Sequence, residues 1–211
     1  PGKVETSIGT LEYFDGVPTD KTVETVYDYL DRSRAVNVFI NSIPMMSMYT
    51  LREGQASVGA DASHKICIWD NLMDSTTLLL TGNTSTMYAV GFLDLLKDGP
   101  TVIDLPPGML GILDDMAFHY MTDLGVAGPD KGKGGKYLVL PPGYEGDVPD
   151  GYFVVKSPTY GVMMCLRGYI EDGSTAKAVA LIKKTKIYPV AEKDTPRKTT
   201  FINVSGKPVN T

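Results

Sequence analysis

The predicted core and the candidate site are organised around the stretch MLGILDDMAFHYMTDLG, residues 109–125. If residues 115–124 form one strand, successive side chains alternate between its two faces. The first face is then polar and carries Asp115, Ala117, His119, Met121 and Asp123. The second face is largely apolar and is expected to lie on a core, with Met116, Phe118, Tyr120, Thr122 and Leu124. The polar face holds the richest set of ionisable groups in the sequence.

The composition is that of a globular protein, with 211 residues, 43% hydrophobic and 21% charged. A net charge of -5 argues against a general nucleic-acid binder, which would carry a basic surface. No apolar run approaches the roughly 20 residues of a membrane-spanning helix. Cys67 and Cys165 lie in apolar runs and are predicted to be buried free thiols. A disulfide between them is the alternative, and it would imply an oxidising compartment.

A helical unit is predicted near the N-terminus. Thr19 or Asp20 is a suitable N-cap, and Val23, Val26, Tyr27 and Leu30 follow with helical spacing. A second apolar segment runs from Val36 to Gly54, and Pro44 is expected to kink or break it.

Short strands between Gly- and Pro-rich turns are predicted after Gly59. They cover residues 65–70, 86–96, 102–105, 137–140, 152–156 and 162–169, while 77–81 is ambiguous. A last helix follows Ser174. The pattern predicts an α+β fold, with the N-terminal helical unit packed on a mixed or antiparallel sheet. The predicted domain covers residues 1–187, and residues 188–211 form an extended tail toward a missing C-terminal domain.

The candidate catalytic residues are Asp115, His119, Asp123 and Arg167. Two carboxylates and an imidazole suit acid–base chemistry or a divalent metal. Residues four apart in a strand are about 13 Å from each other, so a shared metal would need a bend or a helix. A solvated face of an edge strand is the alternative. Arg167 lies within an apolar strand and predicts either an anionic ligand or a carboxylate partner, with Asp94, Asp104 and Asp115 as candidates.

Two polar segments are candidates for ligand binding. The first contains Asn83, Thr86 and Tyr88, for which ordinary turn chemistry is the alternative. The second is a Gly/Lys loop, residues 128–137, in which Lys133 and Lys136 accompany glycine amides that could hold an anion. A surface hairpin is the alternative there, because the loop lacks the Ser or Thr and the context of a P-loop. No metal site is predicted, and the cofactor is left open.

Several motifs together resemble one bacterial family. They are IGTLEYFDGVP at 8–18, NTSTMY at 83–88, LDL at 93–95, DGP at 98–100, TDLG at 122–125, GPDKGKGGKY at 128–137, PPGY at 141–144 and SPT at 157–159. Their order and spacing resemble the domain of unknown function 1254 over about residues 4–190. The resemblance implies an α+β domain, often in exported proteins, followed by a β-sandwich catalogued as domain of unknown function 1214. It implies no established reaction. An acidic residue is common in the family where Ser85 stands here.

We therefore expect a ligand-binding and assembly domain of a two-domain exported protein. The alternatives are a hydrolase, with or without metal assistance, using the Asp115, His119 and Asp123 segment, and a purely structural domain. The expected partners are the C-terminal β-sandwich domain, in the same chain or as a separate fragment, and further copies in a homo-oligomer. No nucleic-acid partner and no membrane span are expected. The expected location is the periplasm or the exterior, with the cytoplasm as the alternative.

Overall fold

The computed structural model describes residues 2–75, 77 and 82–207. It divides into two compact units, Pro1–Pro44 and Met45–Thr211. The α+β class predicted from the sequence is confirmed, since helices and several antiparallel or mixed sheets occur together. The ambiguous run 77–81 lies, apart from Thr77, outside the described residues.

The first unit begins with an antiparallel three-stranded meander of β1 (Lys3–Thr6), β2 (Gly9–Phe14) and β3 (Val17–Pro18). Helix α1 (Asp20–Ser57) follows directly. The hydroxyl of Thr19 accepts a bond from the Thr22 amide at 3.3 Å, as an N-cap does. Thr22 in turn joins α1 to β2, because its hydroxyl donates to the carbonyl of Glu12 at 3.0 Å.

Of the kink or break expected at Pro44, the break is not present, because α1 contains this proline within its length. A proline removes one backbone donor from a helix, and the hydrogen bonds on either side can continue the helix past it. The two predicted helical segments are therefore one element. It begins in the first unit and ends in the second.

The second unit contains, among the described residues, a six-stranded sheet in the order β13-β4-β5-β11-β7-β8. All neighbours are antiparallel except β13 and β4. The strands are β4 (Lys65–Trp69), β5 (Thr86–Asp94), β7 (Leu110–Asp115), β8 (Tyr120–Gly125), β11 (Gly161–Tyr169) and β13 (Thr200–Asn203).

A four-stranded sheet in the order β10-β9-β6-β12 is also found in the described part of this unit. Its strands are β6 (Thr101–Leu105), β9 (Gly135–Leu140), β10 (Phe153–Lys156) and β12 (Lys186–Pro189), with β10 parallel to β9. The short helices are α2 (Leu95–Asp98), α3 (Ala176–Ile182) and a 3₁₀ turn over Val190–Glu192.

The main core lies where one face of the six-stranded sheet meets the four-stranded sheet and α3. It joins, for example, Leu113 of β7, Val139 of β9, Val155 of β10 and Ile182 of α3. The opposite face of the six-stranded sheet is covered in part by Met48 and the neighbouring residues of α1. The sequence period of two along each strand sets this division, because alternate side chains enter different clusters.

The free thiols and the C-terminal segment complete this unit. Both cysteines are free, as predicted, with Cys67 buried and Cys165 half-buried. Phe201 and Ile202 lie in β13, which pairs with β4, and Val204 is fully buried. These apolar residues of the predicted C-terminal tail thus contact this chain. The predicted boundary at 187/188 stays a prediction.

Candidate ligand-binding groove

The segment predicted as one strand over 115–124 is a hairpin, so that prediction is wrong. Strand β7 ends at Asp115 and β8 begins at Tyr120. The chain turns because Phe118 adopts a positive φ of 65° and its amide donates to the Asp115 carbonyl at 3.0 Å. The exposure of the side chains therefore differs from that expected for one strand. Asp115 is buried, whereas Phe118 and Tyr120, which were expected on the core, are exposed.

The Asp115 side chain holds this turn together. One carboxylate oxygen accepts from the amides of Ala117 at 2.8 Å and His119 at 2.9 Å. The other lies 3.1 Å from Nδ1 of His119. A buried carboxylate with such donors is strongly oriented, and it orients the exposed imidazole in turn. The second ring nitrogen of His119 is the one available to a ligand.

A groove of about 510 Å³ opens beside this turn. The turn and β8 supply one wall, and β10 supplies the other. Two prolines complete it. The lining residues are Asp115, His119, Tyr120, Met121, Thr122, Pro129, Phe153, Val154, Val155, Lys156 and Pro158. The groove therefore combines an apolar floor with one oriented imidazole, one phenol and one ammonium group.

Asp123 lies away from the Asp115–His119 pair. It accepts a hydrogen bond from the Tyr120 hydroxyl at 2.9 Å, and this bond raises the pKa of Tyr120. In the antiparallel register, Asp123 is opposite Ile112. The three predicted polar residues thus do not converge on one point.

Sequence reasoning missed Asp114. It is 4% exposed and pairs with Met163 of β11. Burial, and then the neighbouring charges of Asp115 and Asp123, raise its pKa to about 6. The available signal was the pair of adjacent aspartates at the end of an apolar run, since neighbours in a strand point to opposite faces.

Arg167 does not join the groove. Its guanidinium lies over the ring of Tyr88, 5.5 Å from the centroid. None of the ion pairs found in the described residues involves Arg167, so the expected carboxylate partner is not seen there. Stacking on an aromatic face can replace such a partner for an exposed guanidinium.

Asn83, Thr86 and Tyr88 form hydrogen bonds with one another. The Asn83 amide donates to the Tyr88 hydroxyl at 2.7 Å. Its Oδ1 accepts from the Thr86 amide at 2.8 Å and from the Thr86 hydroxyl at 2.9 Å. These bonds form the turn that leads into β5.

The Gly/Lys loop is organised around Asp130, which is buried. Its carboxylate accepts from the amides of Gly125 at 2.8 Å and Gly134 at 2.9 Å, and from the hydroxyl of the fully buried Tyr137. The Gly132 amide donates to the Gly125 carbonyl at 3.0 Å. The amides of Gly132 and Gly134, which could have held an anion, are therefore occupied, while Lys133 and Lys136 are exposed.

Among the candidate residues, the groove brings together Asp115 and His119. Asp123, Arg167 and the ligand-binding candidates Asn83, Thr86, Tyr88, Lys133 and Lys136 lie outside its lining. Lys156 was missed because nothing in the sequence links β10 to the distant hairpin. In the described part of the chain, no group of three or more His, Cys, Asp or Glu side chains is arranged to hold a metal ion.

Together, these features define an α+β domain with a groove between the edges of its two larger sheets. The chain belongs to the family described as Protein of unknown function (DUF1254), whose model matches residues 64–189. This confirms the resemblance drawn from the motifs. The matched region contains the hairpin, the Gly/Lys loop and β10, and so the whole groove.

Curated proteins give no significant match. The crystal structure of the VPA0106 protein from Vibrio parahaemolyticus is similar, with 18% identity and a TM-score of 0.49. The match covers 77% of this chain and 41% of that chain, so this chain spans less than half of that protein's length. No helix within the described residues is long and apolar enough to cross a membrane.

Proposed function

We propose that this domain binds a ligand in the groove between β8 and β10. The observation that carries the proposal is the lining itself. The oriented imidazole of His119 and the ammonium of Lys156 stand beside an apolar floor that includes Met121 and Phe153. A concave site in which a few polar groups converge beside apolar side chains is a usual form of a binding site.

The charges define the class of ligand. Lys156 is exposed, and no ion pair to it is found among the described residues, so its ammonium can receive an anionic group. His119 can donate or accept a hydrogen bond through its second ring nitrogen. The ligand accordingly carries a carboxylate or similar anion next to an apolar portion.

The test is a nuclear magnetic resonance titration of the isotope-labelled chain with a set of aryl and alkyl carboxylates. We expect saturable shifts confined to the hairpin and β10, and loss of these shifts in His119→Ala and Lys156→Ala. Lys186→Ala, an exposed lysine on β12, is the matched control and should bind as the unchanged chain does. Shifts scattered over the surface, or insensitive to both groove substitutions, would contradict the proposal.

The assembly role rests on a different surface. Val36, Phe39 and Ile43 are spaced for one side of α1 and are exposed, with Phe39 71% accessible. Exposed apolar surface of this kind usually marks an interface. We propose that it is covered in a two-domain, exported protein by the C-terminal β-sandwich domain, with a second copy of the chain as the alternative.

This surface can be tested by thiol labelling in a variant where Phe39→Cys supplies the reporter. We expect slower labelling in the longer protein that includes the following domain than in this chain alone. Asp31→Cys, on an exposed part of the same helix, should label equally in both. Slow labelling of the chain alone that speeds up on dilution would instead identify a second copy as the partner.

The second candidate function is hydrolysis, and one observation favours it. The carboxylate–imidazole pair of Asp115 and His119 has the arrangement that orients a general base. Asp123 and Arg167, expected to assist, lie elsewhere. The test is the hydrolysis of activated esters. A rate higher than that of free imidazole, which is lost in His119→Ala, would favour this function over binding alone.

A further inference from the structure

We infer that the ligand of this groove is an extended peptide that pairs with the free edge of β10. The inference rests on the proposed binding function and names its ligand class. It begins from the topology, because β8 ends the six-stranded sheet and β10 ends the four-stranded sheet. Within the part of the chain that the structure describes, each strand therefore has one row of backbone groups without a neighbouring strand.

The lining shows that the groove follows these edges. Phe153, Val154, Val155 and Lys156 all line it, and so do the consecutive residues Tyr120, Met121 and Thr122. Side chains of consecutive strand residues point to opposite faces, so a groove on one face would contact every second residue. Contact with every residue places the groove along the backbone edge.

The direction of the free backbone groups follows from one hydrogen bond. The Ser157 amide donates to the Leu140 carbonyl of β9 at 3.0 Å. Since backbone groups alternate in direction along a strand, Val155 and Phe153 also face β9. Val154 and Lys156 then present their N–H and C=O groups to the groove. An added strand can bond to both residues.

The side chains indicate the peptide's composition. Phe153 and Val155 point toward the main core, and Met121 packs against that same core from β8. On the other face of β10, Val154 and Lys156 are exposed, and His119 lies across the groove. A peptide that alternates apolar and acidic residues therefore complements both faces, with its acidic side chains toward Lys156. This is strand addition to an exposed sheet edge.

The probe is a fluorescein-labelled peptide of seven residues in which valine and glutamate alternate. Val154→Pro removes one groove-facing N–H, and prolines are tolerated at such an edge position. Val154→Ala is the matched control, because it shortens the side chain and keeps the N–H. We expect anisotropy titrations to show binding to the unchanged chain, and binding by Val154→Pro that is about tenfold weaker than binding by Val154→Ala, whose own change measures the loss of side-chain contact alone.

A second pair of probes keeps the test valid if Val154→Pro does not fold. Two peptides carry N-methyl groups on either the valine or the glutamate nitrogens. Strand pairing with β10 uses only one alternate set of peptide N–H groups, so one methylated peptide should bind the unchanged chain and the other should not. Equal binding of both methylated peptides would overturn the inference.

The outcomes separate this inference from the proposed function. Carboxylate fragments that bind through Lys156, together with no peptide binding, overturn strand pairing and leave the binding function in place. Absence of groove shifts with both fragments and peptides overturns both. Peptide binding that is lost in Val154→Pro and retained in Val154→Ala supports both.

Discussion

The Asp115 carboxylate and the His119 imidazole lie 3.1 Å apart across the turn that joins β7 to β8. Two roles meet in this contact. The carboxylate holds the turn through the amides of Ala117 and His119, and it also orients the only imidazole that lines the groove in the described structure. Stability of the hairpin and chemistry of the groove therefore depend on the same side chain.

Replacing Asp115 should separate these roles. Asp115→Ala removes the acceptor of two hydrogen bonds from backbone amides at a buried position. We expect it to lower the free energy of unfolding by about 2–4 kcal/mol. Urea denaturation measures this loss. Replacing the exposed imidazole in His119→Ala should change stability by about 0.5 kcal/mol or less, while abolishing the ligand shifts. Equal stability losses in the two variants would contradict this division.

Asp114 should make stability depend on pH. Its pKa of about 6 in the folded chain lies above the ordinary carboxyl value near 4, so folding favours the protonated form. Below about pH 4 the carboxyl is protonated in both the folded and the unfolded state, so it does not lower the free energy of unfolding. As the pH rises from about 4 to about 6 the folded state comes to hold a buried charge, and stability falls by about 1–3 kcal/mol before it levels off.

The variant Asp114→Asn isolates this effect, because it keeps the size of the side chain and removes the charge. We expect it to match the unchanged chain in stability, apart from a constant offset, near pH 4. Its stability relative to the unchanged chain should rise between about pH 4 and 6 and stay constant at higher pH. Unfolding curves measured at each pH test this, and a constant difference across the range would contradict the raised pKa.

Asp130 should stabilise the Gly/Lys loop through its hydrogen bonds. Its carboxylate accepts from two amides and from the buried Tyr137 hydroxyl, so Asp130→Ala leaves buried donors without acceptors. We expect a loss of about 3 kcal/mol or more. Asp150→Ala, at an exposed position, is the control and should change stability little. A double-mutant cycle with Tyr137→Phe should show coupling.

Arg197 should attach the C-terminal segment to α2. Its guanidinium pairs with Glu192 and donates to Asp98 at 3.1 Å, and the Asp98 side chain is only 6% exposed. Arg197→Ala removes the cation beside that buried carboxylate, which keeps its hydrogen bond from the Ser63 hydroxyl, and should cost about 1–3 kcal/mol. Lys198→Ala, the exposed neighbour, is the control. Thermal unfolding that is equally affected by both substitutions would contradict this role.

The strands and the family were accessible from the sequence because their signals are local. Alternating apolar residues between Gly- and Pro-rich turns predict β4, β6, β9 and β11 close to their observed bounds. The hairpin at Asp115 was missed because the turn segment MAFH contains no Gly, Pro or Asn. Its turn depends on a carboxylate bonded to backbone amides and on a phenylalanine at positive φ.

By itself, the sequence determined the α+β class and the family, and it named Asp115 and His119 as candidate site residues. Only the tertiary structure decided that Asp114 is buried, that Asp123 and Arg167 lie elsewhere, and that Lys156 faces the hairpin. The physical reason is sequence separation. Periodicity reports which side of its own strand a residue occupies, whereas the groove forms between the edges of two different sheets, whose pairing depends on contacts across the whole core.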